Sequence, residues 1–325
     1  MAATRKLIVV GAGLGGVSAA LWARTLGFDV VVLESGPTAG GQLHRVHFRP
    51  VNFASHVEGE GPALAARLAE QLVEAGVSVR YGATATALEV GATATALEVG
   101  APAVRSATGE RLEADAVLIA TGVRRRRLDV PGDRELDGRG VSYSATQDRT
   151  RFAGEEVVVV GGGDAAFENA LLLADVSCKV TIVVRGHPRA RREFRERVAA
   201  ERRIEVLDQT RVVAVEGDER ARAVRLEGPG GTFELPTAGV VVKIGVVPNT
   251  EWCAAAAERD PDGYLRVDGE FRTSHERAWA VGDVTRPRVF GMAVAVGQGA
   301  LAMAGIRRVL DSSDPTRASP SRYSS

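Results

Sequence analysis

Cysteine is scarce in this chain, which has two among its 325 residues, Cys178 and Cys253. They lie far apart in the sequence and form no Cys-x-x-Cys pair, so the sequence excludes a cysteine metal cluster and a vicinal redox dithiol. We expect both thiols to be buried and to act as small hydrophobic groups rather than to form a structural disulfide.

Excess charge and long apolar runs are also missing. The chain has 41 Lys and Arg and 41 Asp and Glu, so its formal net charge is zero, which disfavours nucleic acid or an anionic membrane as the main partner. No apolar run approaches the ~20 residues that span a bilayer. A buried-strand pattern, LIVVGAG, already begins at Leu7, which does not fit a signal peptide. We therefore expect a cytoplasmic protein that binds neither nucleic acid nor membrane.

A dinucleotide-binding pattern is present near the N-terminus. KLIVV, GAGLGG and VSAALWARTLG read as strand, glycine turn and helix, with Gly11, Gly13 and Gly16 in the G-x-G-x-x-G positions. The first glycine allows a tight turn, the second lets backbone approach a pyrophosphate, and the third lets the helix pack closely. The next strand, DVVVLES, carries Glu34, a carboxylate suited to ribose hydroxyls.

The same pattern occurs a second time. EVVVV, GGGDAA and FENALLLA precede the strand CKVTIVV, with Gly161, Gly163 and Ala166 in the three turn positions. The position that matches Glu34 is Val184, and Arg185 follows it. Arginine attracts a 2′-phosphate, so the second site is predicted to prefer NADPH to NADH. The further arginines of RARREFRER either contribute to this site or form a solvated helix face.

Two dinucleotide sites in one chain suggest that one holds a flavin and the other delivers a nicotinamide hydride to it. Further motifs follow in order: GGQL at 40–43, LIATG at 118–122, IGVVPNTEW at 244–252, and AVGDV at 280–284, which precedes a helix of small residues. In this order and spacing, the chain to about residue 310 resembles the low-molecular-weight thioredoxin reductases.

The resemblance implies an α/β fold of two Rossmann-like three-layer (ββα) domains. The NAD(P)H-binding domain, at 123–244, would be inserted into the FAD-binding domain, at 1–122 and 245–325. A length of 325 residues is enough for two domains. The resemblance also implies a homodimer.

Together, the glycine patterns and the resemblance assign residues to each cofactor. FAD would contact Gly11, Gly13, Leu14, Gly15, Gly16, Glu34, Gly41, Gln42, Leu43, Asn52, Thr121, Gly122, Gly282, Asp283, Met292 and Ala293. NADPH would contact Gly161, Gly163, Asp164, Ala165, Ala166, Arg185 and Arg189. By the resemblance, Asp283 bonds the ribityl chain, and the amides around Met292 and Ala293 face the flavin ring.

One segment departs from the family pattern. Where thioredoxin reductases carry Cys-Ala-Thr-Cys-Asp, this chain reads Ser144-Ala145-Thr146-Gln147-Asp148 within VSYSATQD. Serine and glutamine cannot perform thiolate attack on a disulfide, so we expect that the chain does not reduce thioredoxin. Asp148 is retained; it is either a general acid near the flavin that serves a different acceptor or a hydrogen-bonded turn residue.

Other departures leave more than one function open. Ala165 replaces a usual Ser or Thr, Val184-Arg185-Gly186 replaces His-Arg-Arg, and Phe290 stands where an arginine is usual. The first two weaken the predicted NADPH site. The preferred hypothesis is an enzyme that passes hydride from NADPH to FAD and then directly to a small molecule such as a quinone, to oxygen or to a protein electron carrier. The alternatives are an FAD-dependent oxidase or dehydrogenase of an organic substrate with weak or no NAD(P)H use, and a non-catalytic flavin-binding redox sensor.

GATATALEV at 82–90 is repeated identically at 91–99. A single tandem copy is too little for a repeat architecture, so we expect it to lengthen a strand or hairpin. The Ser- and Pro-rich tail from Asp311 is predicted to be disordered.

Overall fold

The computed structural model describes residues 4–47, 49–50, 53, 59–91 and 100–312. The chain divides into two compact units. The first unit comprises Met1–Arg124 and Val247–Ser325, and the second comprises Arg125–Val246.

The described residues of the first part of the first unit form two long helices and eight strands, the last of which ends one residue into the second unit. In chain order they are β1 (Lys6–Val10), α1 (Leu14–Thr25), β2 (Asp29–Glu34), α2 (Gly61–Glu74), β3 (Ser78–Tyr81), β4 (Ala85–Gly91), β5 (Gly100–Ser106), β6 (Arg111–Glu113), β7 (Ala116–Ile119) and β8 (Val123–Arg125). A 3₁₀ helix, Gly41–Arg45, lies between β2 and α2.

The rest of the chain supplies the second unit and completes the first. The second unit has β9 (Val141–Ser142), α3 (Ala145–Asp148), β10 (Glu156–Val160), α4 (Asp164–Ala174), β11 (Lys179–Val183), α5 (Arg192–Ala200), β12 (Ile204–Leu207), β13 (Arg211–Gly217), β14 (Ala221–Gly228), β15 (Gly231–Pro236) and β16 (Gly239–Val242). Then follow β17 (Val246–Pro248), β18 (Ala278–Ala280) and α6 (Met292–Ser312), with short 3₁₀ helices at Arg149–Phe152, Glu251–Cys253 and Gly282–Thr285.

The first unit is built on a parallel sheet in the order β18-β7-β1-β2-β3. A parallel strand that is buried on both faces has a continuous apolar sequence, which explains KLIVV. Successive side chains of this strand point to opposite faces of the sheet. Leu7 and Val9 pack in a core with α1 and α6. Ile8 and Val10 pack on the other face with side chains of the antiparallel ribbon β4-β5-β6. Helices, sheet and ribbon therefore form three layers.

The second unit repeats this plan with the sheet order β12-β11-β10-β16-β9. Val157 and Val159 pack with α4, whereas Val158 and Val160 pack with the antiparallel ribbon β13-β14-β15. The predicted fold class, two Rossmann-like three-layer units, is confirmed.

The last helix differs from expectation. The prediction that no apolar run is long enough to span a bilayer is wrong. The helix α6 has 21 residues, and by length and composition alone it is long and apolar enough to cross one. Ala, Gly and Val fill most positions between the few polar residues of α6, so several short apolar stretches together form one long apolar helix. Its buried side chains Ala302, Met303 and Ile306 belong to the core shared with α1. A Cβ on Gly299 would lie 2.4 Å from the carbonyl oxygen of Gly15, so the two helices touch backbone to backbone.

Two further expectations are corrected or fall outside the described residues. Cys253 is fully buried as predicted, but Cys178 is exposed because it lies in the turn at the amino end of β11. The first copy of the duplication provides β4, which pairs with β5; residues 92–99 and the tail from residue 313 lie outside the described residues, as does Asn52.

A buried carboxylate holds three segments of the second unit together. Asp133 is completely buried. The Tyr143 hydroxyl donates to its Oδ1 at 2.8 Å, and the Arg127 Nε and the Asp129 backbone N–H donate to its Oδ2 at 3.2 and 3.1 Å. The Arg127 guanidinium also lies 5.3 Å from the centre of the Tyr143 ring. A buried charge with this many donors is stabilising only while all partners are present.

We therefore expect Asp133→Ala to lower the free energy of unfolding of the second unit by about 1–3 kcal/mol, because the Tyr143 hydroxyl and the Asp129 N–H lose their acceptor and Arg127 keeps only its ion pair with Asp137. Hydrogen exchange of the full chain, read by mass spectrometry, should show faster exchange in β9 and β16 and unchanged exchange in β1 and β2. Asp218→Ala is the matched control, since Asp218 is 82% exposed in an ion pair with Arg222. Equal exchange in the two variants would contradict this role for Asp133.

Candidate functional site

The turn between β1 and α1 is built so that two of its positions admit only glycine. Gly11 has φ +103°, and a Cβ there would lie 2.4 Å from the Ala120 carbonyl oxygen. A Cβ on Gly16 would lie 2.0 Å from the Gly11 carbonyl oxygen. Gly13 differs: it precedes α1 with φ −73°, and a Cβ there meets nothing within 4 Å. The backbone at Gly13 therefore faces open space beside the helix N-terminus, which suits a pyrophosphate.

A cavity of about 820 Å³ opens at this turn within the first unit, which is in the usual size range of cofactor sites. Most of the residues predicted to contact FAD form its wall: Gly11, Gly13, Leu14, Gly15, Glu34, Gly41, Gln42, Leu43, Thr121, Gly122, Gly282, Asp283 and Met292. Gly16 instead packs beneath the turn, and Ala293 is exposed on α6.

Glu34 ends β2 and connects that strand to the glycine turn. Its Oε2 accepts the Ala12 backbone N–H at 2.7 Å, and its Oε1 accepts the Gly36 N–H at 2.7 Å. A carboxylate has about four lone-pair sites, so Glu34 can hold the turn and still accept hydroxyl groups from the cavity.

Asp283 and Gln42 join two other loops of the cavity wall. The Gln42 amide donates to the Asp283 Oδ2 at 2.7 Å. Burial raises the pKa of Asp283 above its usual value, and this hydrogen bond opposes the shift. Gly291 and Met292, at the start of α6, lie in the same wall, where the first amides of the helix have no partner within the helix.

Sequence reasoning missed a clamp between two loops of this site. The Asn249 side chain donates to the Thr121 carbonyl at 2.8 Å, and the Thr121 hydroxyl donates to the Asn249 carbonyl at 2.7 Å. Arg124 donates to the Asn249 Oδ1 at 2.9 Å and pairs with Glu251. Asn249 lies within IGVVPNTEW, so the motif contained the signal although the residue was not assigned a role.

The second unit has a corresponding turn between β10 and α4. A Cβ on Gly161 would lie 2.2 Å from the Lys243 carbonyl oxygen and 3.1 Å from the Ala166 side chain, which is fully buried. Gly163 precedes α4 with φ −100°, and a Cβ there meets nothing within 4 Å. The backbone conformation is thus that of the first turn, with alanine tolerated at the third position.

The arginines after β11 are divided between two roles. Val184 directly follows β11 and is buried, and Arg185 after it is exposed. The backbone N–H groups of Arg189 and Ala190 donate to the Gly162 carbonyl at 2.7 and 3.0 Å, so this segment is tied to the glycine turn.

Arg191 engages the predicted nucleotide contact Asp164 with its backbone N–H and its Nε, both at 2.7 Å. The backbone bond first, and then the guanidinium, lower the pKa of the Asp164 carboxyl. Both carboxylate oxygens of Asp164 are therefore hydrogen-bonded to an arginine of its own chain. Ala165, exposed in the first turn of α4, offers no hydroxyl.

The segment 141–148 forms β9 and α3 in the second unit. The Ser142 hydroxyl donates to the Asp148 Oδ2 at 2.6 Å and accepts the Ser144 N–H at 3.0 Å. Ser144 caps α3 by accepting the Gln147 N–H at 3.4 Å, and Arg151 lies 3.1 Å from the Asp148 Oδ1. Because both oxygens of Asp148 are engaged, the geometry favours the structural alternative for this residue.

Comparison with known proteins gives consistent matches over the whole chain. The sequence model of the family described as pyridine nucleotide-disulphide oxidoreductase matches residues 5–299. A thioredoxin reductase from Streptomyces coelicolor is 32% identical over 328 residues, which cover 99% of each protein. An NADH dehydrogenase from Ferdinandcohnia aciditolerans is 29% identical over 302 residues, 92% of this chain and 56% of that protein.

A solved structure shows the same fold. Thioredoxin reductase from Lactococcus lactis superimposes with a TM-score of 0.78 at 27% sequence identity, covering 94% of this chain and 99% of that one. The matches confirm the resemblance that the separated motifs indicate.

The open space at Gly13 allows a test of the glycine turn between β1 and α1. We expect Gly13→Ala to leave the stability of the cofactor-free protein within about 0.5 kcal/mol and to weaken FAD binding by about tenfold or more, because the methyl group occupies the path of the pyrophosphate. Thermal unfolding and titration with FAD would measure the two effects. Gly269→Ala is the control, since it also meets nothing within 4 Å but lies outside the cavity wall. Unchanged FAD affinity in Gly13→Ala would refute this placement.

Proposed function

The chain belongs to the pyridine nucleotide-disulphide oxidoreductase family, and we propose that it is an FAD-dependent oxidoreductase that uses NADPH and transfers electrons to an acceptor without a protein dithiol. One observation carries the proposal. The chain has two glycine turns with open backbone, at Gly13 and Gly163, and its Ser144–Gln147 segment contains no sulfur.

The first unit is the proposed FAD site. The backbone at Gly13 is open for the pyrophosphate, Glu34 has acceptor capacity for a ribose, and Asp283 and the start of α6 lie in the same wall. When bound, FAD supplies the ring that accepts and donates electrons. The chain's part is to bind it, to orient it between the Gly122 and Gly282 loops, and to enclose it in the cavity.

The second unit is the proposed NADPH site. Gly163 leaves the N-terminus of α4 open to phosphate, and Arg185 is exposed at the end of β11, where a 2′-phosphate would lie. NADPH in this site would be the source of electrons. The Arg191–Asp164 bonds and the missing hydroxyl at Ala165 reduce the polar groups available to the nucleotide, so we expect moderate affinity.

The acceptor is proposed to be something other than thioredoxin. Several relatives are named thioredoxin reductase, but here neither cysteine offers a substitute dithiol. Cys253 is fully buried, and its Sγ lies 3.4 Å from the Thr250 carbonyl oxygen. Burial raises the pKa of its thiol to about 11, so little reactive thiolate forms at neutral pH. Cys178 is in the other unit, exposed and before β11. A homodimer remains part of the proposal through the family resemblance, and the cytoplasmic location stays an expectation.

A second candidate function follows from the weakened nucleotide site. If Asp164 stays bound to Arg191, the enzyme would take electrons from an organic substrate at the flavin instead of from NADPH, and oxygen would reoxidise it.

Anaerobic stopped-flow mixing of the yellow protein with NADPH or NADH distinguishes these candidates. We expect rapid loss of the flavin's visible absorption with NADPH and slower loss with NADH, because Arg185 favours the 2′-phosphate. Bleaching by neither nucleotide, with FAD bound stoichiometrically, would overturn the proposal and favour the organic-substrate oxidase or a flavin-based sensor.

Removal of both thiols tests the absence of a dithiol. We expect the double variant Cys178→Ser, Cys253→Ala to retain at least about half of the NADPH-dependent electron transfer to an artificial acceptor, since no step needs sulfur. Steady-state reduction of ferricyanide would measure it, with the flavin content of each preparation as the control for folding. A loss of activity at full flavin content would show that a thiol takes part.

A further inference from the structure

Lys243 is a half-buried lysine at the carboxyl end of β16. Its Nζ donates to the Tyr143 carbonyl oxygen at 2.9 Å, and the Arg125 guanidinium donates to the same oxygen. Two cationic side chains therefore meet at one neutral carbonyl. All three residues belong to the second unit, and neither a glycine pattern nor the family resemblance assigns Lys243 a role.

The sheet order shows which part of a bound nucleotide Lys243 would meet. The strands run β12-β11-β10-β16-β9, all parallel, and dinucleotides lie across the carboxyl ends of such strands at the turn after the central strand. Arg185, at the end of β11, marks the side of the adenosine and its 2′-phosphate. The other half must then lie over the ends of β16 and β9. Lys243 follows β16 directly, and its carbonyl oxygen touches the glycine turn at Gly161.

We propose that Lys243 makes the second unit discriminate between the two redox states of the nicotinamide ring, because its ammonium group disfavours the positively charged oxidised ring over the neutral reduced ring. This rests on the proposed function of the second unit as a nicotinamide nucleotide site. The consequence is that the reduced nucleotide binds more tightly and the oxidised product leaves more readily.

The charges around Lys243 set the pH range of this effect. Burial, and after it the Arg125 guanidinium on β8, lower the pKa of Lys243 to about 8, and Glu168 on α4 opposes the shift. Tyr143 presents its carbonyl to Lys243, while its hydroxyl is bonded to Asp133. The ammonium form therefore predominates below about pH 8. The discrimination that Lys243 supplies is present there and is lost as the pH rises, whereas the Arg125 guanidinium stays charged throughout.

The experiment compares equilibrium binding of two nucleotides to the full-length FAD-loaded protein. The probes are NADP⁺ and tetrahydro-NADP, whose uncharged ring cannot donate hydride. At pH 7 we expect the ratio of dissociation constants, NADP⁺ over tetrahydro-NADP, to fall about tenfold in Lys243→Met, from the Coulomb energy of two charges at partly solvated separations. The wild-type ratio should fall by a similar factor between pH 7 and pH 9, and the Lys243→Met ratio should not change with pH. The wild-type pH series needs no variant, so it tests the proposal even if Lys243→Met folds poorly.

Two variants separate this effect from others. Lys179→Met removes the same charge at the amino end of β11, where Lys179 pairs with Glu205, and should leave the ratio unchanged. Arg185→Gln should reduce the preference for NADP⁺ over NAD⁺ but leave the oxidised-to-reduced ratio unchanged.

Two results would count against the proposal in different ways. If both nucleotides bind and the ratio is the same in wild type and Lys243→Met, the role of Lys243 is wrong and the proposed function stands. If neither nucleotide binds the wild-type protein, the proposed function of the second unit fails, and the role of Lys243 fails with it.

Discussion

The contact of a backbone carbonyl with the first glycine of each turn is the constraint on which both units depend. In the first unit the end of β7 touches Gly11, and in the second the end of β16 touches Gly161. No side chain fits between these backbones, so the central strand, its neighbour and the following helix are fixed at one separation. The N-terminus of the helix is thereby placed at the carboxyl edge of the sheet, and the open positions Gly13 and Gly163 are aligned with it.

The segment 141–148 is held in shape by its own polar side chains. Ser142 and Ser144 exchange hydrogen bonds with each other and with Asp148 and Gln147. These bonds satisfy the short helix α3 and its cap without sulfur. The backbone course of the segment therefore follows from local polar side chains.

The strand-turn-helix units and the residues that line their turns were predictable, because short apolar runs and glycine spacing are local signals. Glu34 was predictable for the same reason. The ribbons β4-β5-β6 and β13-β14-β15 were implied only by the resemblance to a three-layer (ββα) family and not by a local pattern, since half-exposed antiparallel strands mix polar and apolar residues and resemble loops. Lys243, the Thr121–Asn249 clamp and the Arg191–Asp164 bonds each join positions distant in sequence, and only the folded chain brings them together. The exposure of Cys178 was not predictable either, because it depends on where β11 begins, one residue after this cysteine.

The division of the first unit between the two ends of the chain has a consequence for synthesis. The second unit is continuous, so all of its strands are synthesised before β18 and α6. The first sheet meanwhile lacks an edge strand, and α1 lacks the helix that meets it at Gly299. The nascent chain thus carries an unfinished apolar surface on its earliest segment until its last helix emerges. With this order of segments, that surface needs protection during synthesis, either by a chaperone or by fast translation of the intervening residues.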